Sequence, residues 1–234
     1  MGALQDLALD LARFRRAGRG RTLRDRVLLV ISTEELWVIV TYRIARWAMF
    51  ECRVPVLRQV VSFVARAHLR LLRLLLHVWI APQARIGGGL CLNHFGAVWV
   101  NPNAVLGRFC NLHQGVTIGI GGTGEGHGVP RLGDRVNIGP YAVILGRITI
   151  GNDVGIGANS LVVSDLPDGA VAVGVPARIV SRLGGGIPED PTLPEEFDRP
   201  PPAIREARER AARVGNGTVQ GSPVAPAPPP EATR

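Results

Sequence analysis

The 234-residue chain is long enough for one sizeable core with flanking segments, and its 46% hydrophobic and 20% charged residues are those of a folded domain. The formal net charge is +8, but all 27 basic residues are arginine and no interleaved basic and aromatic motif accompanies them, so the charge reflects arginine usage and not a nucleic-acid-binding code. Three cysteines (Cys52, Cys91, Cys110) without CxxC spacing exclude a disulfide framework and suit a reducing cytoplasm; Asp6, Asp10 and Arg13 interrupt the apolar core a signal peptide needs, so secretion is not expected.

Residues 1–24 carry six arginines together with Gly18 and Gly20, and are expected to form a short helix followed by a basic arm. Residues 25–78 are strongly aliphatic, yet Glu34, Glu35, Arg43, Arg46, Glu51, Arg53 and Arg58 keep every apolar run below the ~18 needed for a membrane span. Amphipathic helices are the consequence. In the last of them Arg66, Arg70 and Arg73 recur at i, i+4 and i+7, with Leu69, Leu72 and Leu76 on another face. Such a helix suits an anionic membrane surface, or packing on the next domain or another subunit with its arginines in water.

Over residues 79–181 the period changes to six. Aliphatic stations begin at Ile80, Ile86 and Leu92, resume at Val100, Leu106, Leu112 and Ile118, and run from Leu132 through Ile138, Ile144, Ile150 and Ile156 to Val162. A period of six is neither helical nor that of a lone strand; each six residues make a short parallel strand and a turn, and the coils stack into a parallel β-helix. Two slips of two residues break the pattern. One covers Asn93 to Trp99 and contains Asn93-His94-Phe95-Gly96; the other contains GIGGTGEGHGVPR, too glycine-rich for a packed strand. An irregularity in a strict repeat is where a site is expected, and a glycine loop can drape over a ligand and present backbone N–H groups. The loop lacks the GK[ST] of a phosphate-binding P-loop. Residues 182–234 are rich in proline and glycine and are expected to be disordered, apart from a short charged helix over 204–214.

Of the five histidines, His68 and His77 fall in the helical segment and suit interfacial or solvated positions. His113 follows the inward Leu112 and faces outward; His127 sits in the glycine loop, within reach of an acceptor. His94, in the first slip beside Gly96, is the favoured catalytic residue, a structural role being the alternative.

YRIARW at residues 42–47, IAPQARIGGGLCLNHFG at 80–96 and GVPARIV at 174–180, joined by the six-residue repeat, resemble the serine O-acetyltransferases and their exopolysaccharide-modifying relatives among the hexapeptide-repeat acyltransferases. The resemblance covers about residues 25–181. It implies a left-handed parallel β-helix, a homotrimer or dimer of trimers, and acetyl-CoA as co-substrate in the groove between prisms. It also implies that His94 is the general base and that no metal takes part. By the same resemblance Asn93, His113 and His127 are candidates to contact the acceptor, and Gly119, Pro140, Ala158 and Arg178 to hold CoA. Four positions depart from the serine enzymes: Trp79 stands where an aspartate orients the base, Asn93 where a second aspartate precedes it, and Gly128 and Val129 where an arginine and a histidine hold the amino acid. A sugar or specialised small-molecule hydroxyl is therefore favoured as acceptor, with true serine O-acetyltransferase activity as the alternative. Docking of the C-terminus into a sulfhydrylase is not expected, since the chain ends at Arg234 without the docking isoleucine. A γ-type carbonic anhydrase shares the prism, but its zinc-binding histidine spacing is not met by His94, His113 and His127. A non-catalytic membrane-surface or assembly module is the remaining class, against which His94 and the glycine loop argue.

Overall fold

The computed structural model describes residues 2–14, 23–94 and 96–185, with residues 204, 206, 209 and 210. Four helices come first: α1 (Ala3–Phe14), α2 (Leu23–Ser32), α3 (Glu34–Phe50) and α4 (Pro55–Leu76). Pro55 opens α4 where its missing N–H is not needed, and His77, in a left-handed conformation, closes it. Among the described residues no helix is long and apolar enough to cross a membrane.

The strands, numbered in chain order, form a mainly β prism with three faces. The first face holds β1 (Trp79–Ile80), β4 (Trp99–Val100), β7 (Thr117–Gly119), β10 (Val143–Leu145) and β13 (Leu161–Val162). The second holds β2 (Arg85–Ile86), β5 (Val105–Leu106), β8 (Arg131–Leu132) and β11 (Thr149–Ile150). The third holds β3 (Cys91–Asn93), β6 (Asn111–His113), β9 (Asn137–Ile138), β12 (Gly155–Ile156) and β14 (Val171–Gly174), with β15 (Ala177–Ser181) added antiparallel at its end. All other pairings between these strands are parallel, so the described residues make five coils of a parallel β-helix.

Every aliphatic station of the repeat is buried, and like stations stack in register: Ile80 on Val100, Val100 on Ile118, Ile118 on Ile144, Ile144 on Val162. The two slips leave this register intact because their extra residues are extruded at corners. Corners between the second and third faces are built by a ladder of side-chain oxygens. Asp134 Oδ1 accepts from the Arg108 N–H (2.7 Å), Asn152 Oδ1 from Asp134 N–H (2.8 Å) and Asp168 Oδ1 from Asn152 N–H (2.7 Å). Gly133 on this ladder has no room for a side chain: a Cβ would lie 2.6 Å from Asn152 Oδ1 and 2.9 Å from the Gly151 carbonyl carbon.

The first coil has no coil beneath it, and its free carbonyls are met by side chains of the helical segment. Tyr42 Oη donates to Ala84 O (2.8 Å), Arg43 to Ile86 O (2.6 Å) and Gly87 O (2.7 Å), and Arg46 to Ala84 O (3.0 Å). The YRIARW motif is thus the cap on an otherwise open sheet edge. Arg43 is fully buried and pairs with Asp10 of α1 at 2.7 Å, while Asp10 Oδ1 also accepts from Leu90 N–H at 2.8 Å. The short helix expected at the start of residues 1–24 is α1. Ala3–Phe14 is a docked helix, because Asp6, Asp10 and Arg13 lie on one of its faces and find Arg43, Leu90 and Asn111 there. The rest of that stretch, residues 15–22, lies outside the described residues. Most of the expected disordered tail does too; Ile204 is buried beside Gly169.

Candidate active site

His94 sits at the corner where the third face turns into the first, with a left-handed φ of 65° and an exposed side chain. The same left-handed conformation recurs at other corners of the prism, at Phe109, Arg135, Tyr141, Asp153 and Asn159, so it belongs to the coil turn and directs the side chain outward there. One coil above, in register with Asn93, lies His113. The Asn93 side-chain nitrogen is 3.3 Å from His113 Nε2. The pKa of His113 is lowered, first by desolvation and then by the charge of His94. The two rings are 6.3 Å apart, tilted by 46°. Among the described residues nothing hydrogen-bonds the His94 ring itself.

The same edge continues up the prism through a backbone staircase. Gly115 N–H donates to Gly96 O (2.7 Å), Tyr141 N–H to Gln114 O (2.9 Å) and Asn159 N–H to Pro140 O (2.8 Å). Asn93, His94, His113, Pro140 and Ala158 are therefore brought to one edge. Its column on the third face ends at Val173, whose partner on β15 is Arg178. Four coil steps at ~4.8 Å set the two ends about 19 Å apart.

Two expected contacts are elsewhere. Gly119 ends β7, and the glycine loop that follows leaves the prism where the first face turns into the second. There Gly121 and Gly128 exchange N–H···O bonds of 3.0 Å, Gly126 and His127 N–H bond within the turn, and His127 Nδ1 lies 3.3 Å from Gly122 O. Those amides are already committed, which narrows the set of N–H groups the loop can present. Within one chain His94 and His127 stand on different edges.

Sequence reasoning missed Gln114, whose Oε1 is buried on the His94 edge without a partner among the described residues. The signal was available: 93 to 113 is three hexads plus the two-residue slip, which stacks Asn93 under His113 and puts Gln114 above His94. Trp79 neighbours Trp99 on the first face, and the Arg73 guanidinium lies 4.9 Å from each ring centroid. No group of three or more His, Cys, Asp or Glu suited to a metal occurs among the described residues.

Residues 130–164 match the family described as bacterial transferase hexapeptide (six repeats). The chain is 37% identical over 146 residues to a serine acetyltransferase of Synechococcus elongatus, covering 62% of this chain and 57% of that protein. It is 41% identical over 120 residues to a serine acetyltransferase of Helicobacter pylori, covering 51% of this chain and 70% of that protein. Among solved structures, the Neisseria gonorrhoeae serine acetyltransferase in complex with serine superposes with a TM-score of 0.60 at 31% identity, over 76% of this chain and 69% of that one. The Brucella abortus serine acetyltransferase in complex with coenzyme A does so with a TM-score of 0.60 at 28% identity, over 78% and 68%.

Proposed function

Because the chain belongs to the serine acetyltransferase family of hexapeptide-repeat transferases, we propose that it transfers the acetyl group of acetyl-CoA to a hydroxyl, with serine as the acceptor and His94 as the general base. The observation that carries this is an exposed His94 at the foot of an edge shared with His113, Pro140 and Ala158. A neutral His94 imidazole takes the proton of the acceptor hydroxyl as its oxygen attacks the thioester carbonyl. The tetrahedral oxyanion then collapses, the C–S bond breaks, and the CoA thiolate leaves and recovers the proton from the imidazolium. Backbone N–H groups aimed at the oxyanion supply the remaining stabilisation.

In this reading the pantetheine arm runs along Pro140 and Ala158, and Arg178 pairs with a CoA phosphate. Asn93 and His113 line the acceptor side. Gly119 and His127 reach the site from the edge of a neighbouring prism, which makes the active unit a trimer or a dimer of trimers. The three free cysteines support a reducing compartment, where acetyl-CoA is available.

The acceptor differs from the one favoured on residues alone. Relatives of this identity are serine acetyltransferases, one of them a complex with serine, and they support serine over a sugar or specialised hydroxyl. An uncharged hydroxyl acceptor remains the second reading, favoured by Trp79, Asn93, Gly128 and Val129, which stand where the resemblance would put groups that orient the base or hold an amino acid. The test is thiol release from acetyl-CoA with serine, homoserine and nucleotide sugars side by side. The proposal expects serine to give the highest kcat/KM. A nucleotide sugar ahead of serine would establish the second reading, and no release with any acceptor would remove both.

A further inference from the structure

The arginine row of α4 is not used by the acetyl-transfer site, and the fold turns it toward the first coil. A cavity of about 220 Å³ opens between α4 and the corner of the first and second faces, lined by Arg66, Arg70, Trp79, Ala81, Gln83 and Pro102. Arg73, one turn further on, is stacked on both Trp79 and Trp99. Residues 55–76 contain four arginines and no aspartate or glutamate. Among the described residues no carboxylate forms an ion pair with Arg66, Arg70 or Arg73.

Like charges one helical turn apart destabilise a helix when nothing neutralises them. Here three are held together at i, i+4 and i+7, and one is fixed in direction by two indoles, which lowers the entropy lost when it engages a ligand. The lining is cationic and aromatic with apolar walls, and guanidinium forks match the oxygens of a phosphate bidentately. Within one chain the cavity lies on a different edge from His94 and at the opposite end of the prism from Arg178, the residue proposed to pair with a CoA phosphate.

We propose that Arg66, Arg70 and Arg73, with Trp79, form a binding site for a phosphate-type anion at the junction of the helical segment and the β-helix. Two sources present that chemistry: a soluble phosphate ester, or the headgroup of an anionic lipid. The second has structural support, because α4 exposes Val56, Phe63, Leu71 and Leu74 next to the arginine flank.

The experiment uses the full chain, with pyrophosphate as the soluble probe in calorimetry, and co-sedimentation with phosphatidylcholine vesicles with or without phosphatidylglycerol. Saturable pyrophosphate binding is expected, weakened at least tenfold in R66Q/R70Q and less in R66K/R70K, which keeps the charge and loses the fork. The acetyl-CoA KM should be unchanged in both variants, which also shows that they are folded. Sedimentation with phosphatidylglycerol vesicles that is lost in R66Q/R70Q identifies the headgroup as the source; pyrophosphate binding without such sedimentation identifies a soluble ester. Failure of both probes to bind, or binding of equal strength in R66Q/R70Q, overturns the proposal.

Discussion

At the scale of single residues, the His94–His113 pair sets the pH behaviour of the site. His113 is held below the ordinary histidine range by desolvation and by His94. A depressed folded-state pKa gives stability that is complete above the unfolded value, about 6.5, and is lost as pH falls through the folded one. The denaturant midpoint of the wild type should therefore drop more between pH 7 and pH 5 than that of His113→Gln; equal drops would show that His113 does not titrate in this window. Cys110 gives a second residue-level prediction. It is buried, and desolvation pushes its thiol up to about 12, so it should react with a thiol reagent only when the protein is unfolded. Labelling of Cys110 in the folded chain at neutral pH would contradict its placement.

Residues of this kind differed in how far the sequence revealed them. His94 was visible because it breaks a strict repeat. The stacking of its neighbour Asn93 on His113 was recoverable from the count of twenty between residues 93 and 113. Arg43 was not visible: in the chain it only punctuates an aliphatic run, and its burial follows from Asp10 and from carbonyls of a coil that begins more than thirty residues later.

Among elements, the cap is the contribution the periodicity could not show. A six-residue repeat identifies each coil and its inward side chain, but the repeat is the same at an end as in the middle, so it says nothing of how the first coil's free edge is satisfied. The structure answers with α1 and α3, joined through the Arg43–Asp10 pair. Removing one partner of a buried pair leaves a bare charge at a cost of about 3 to 5 kcal/mol. Asp10→Ala is expected to lower the unfolding midpoint sharply, a change read by chemical denaturation; a loss under 1 kcal/mol would mean that the cap is dispensable. In the prism, Gly133→Ala forces a methyl group onto Asn152 and the Gly151 backbone, and should destabilise by about 1 to 3 kcal/mol.

For the whole molecule, five coils place the proposed base and the proposed phosphate contact on one edge, and the glycine loop on another. Neither edge alone gathers every candidate residue, which is the physical reason for expecting a site shared between subunits. Sedimentation should give a mass that is a multiple of three of the 25.1 kDa chain, and an active monomer would contradict the shared site. This arrangement was legible in the sequence only as two slips in a repeat; which edges they occupy depends on how the coils stack.

The central claim is that His94 is the base of an acetyl transfer, and its most direct test is CoA release from acetyl-CoA with serine, comparing the wild type with His94→Ala at matched oligomeric state. A general base contributes about 10²- to 10⁴-fold. The account predicts a loss of kcat within that range, with the acetyl-CoA KM little changed. A folded His94→Ala protein that keeps the full rate would contradict it.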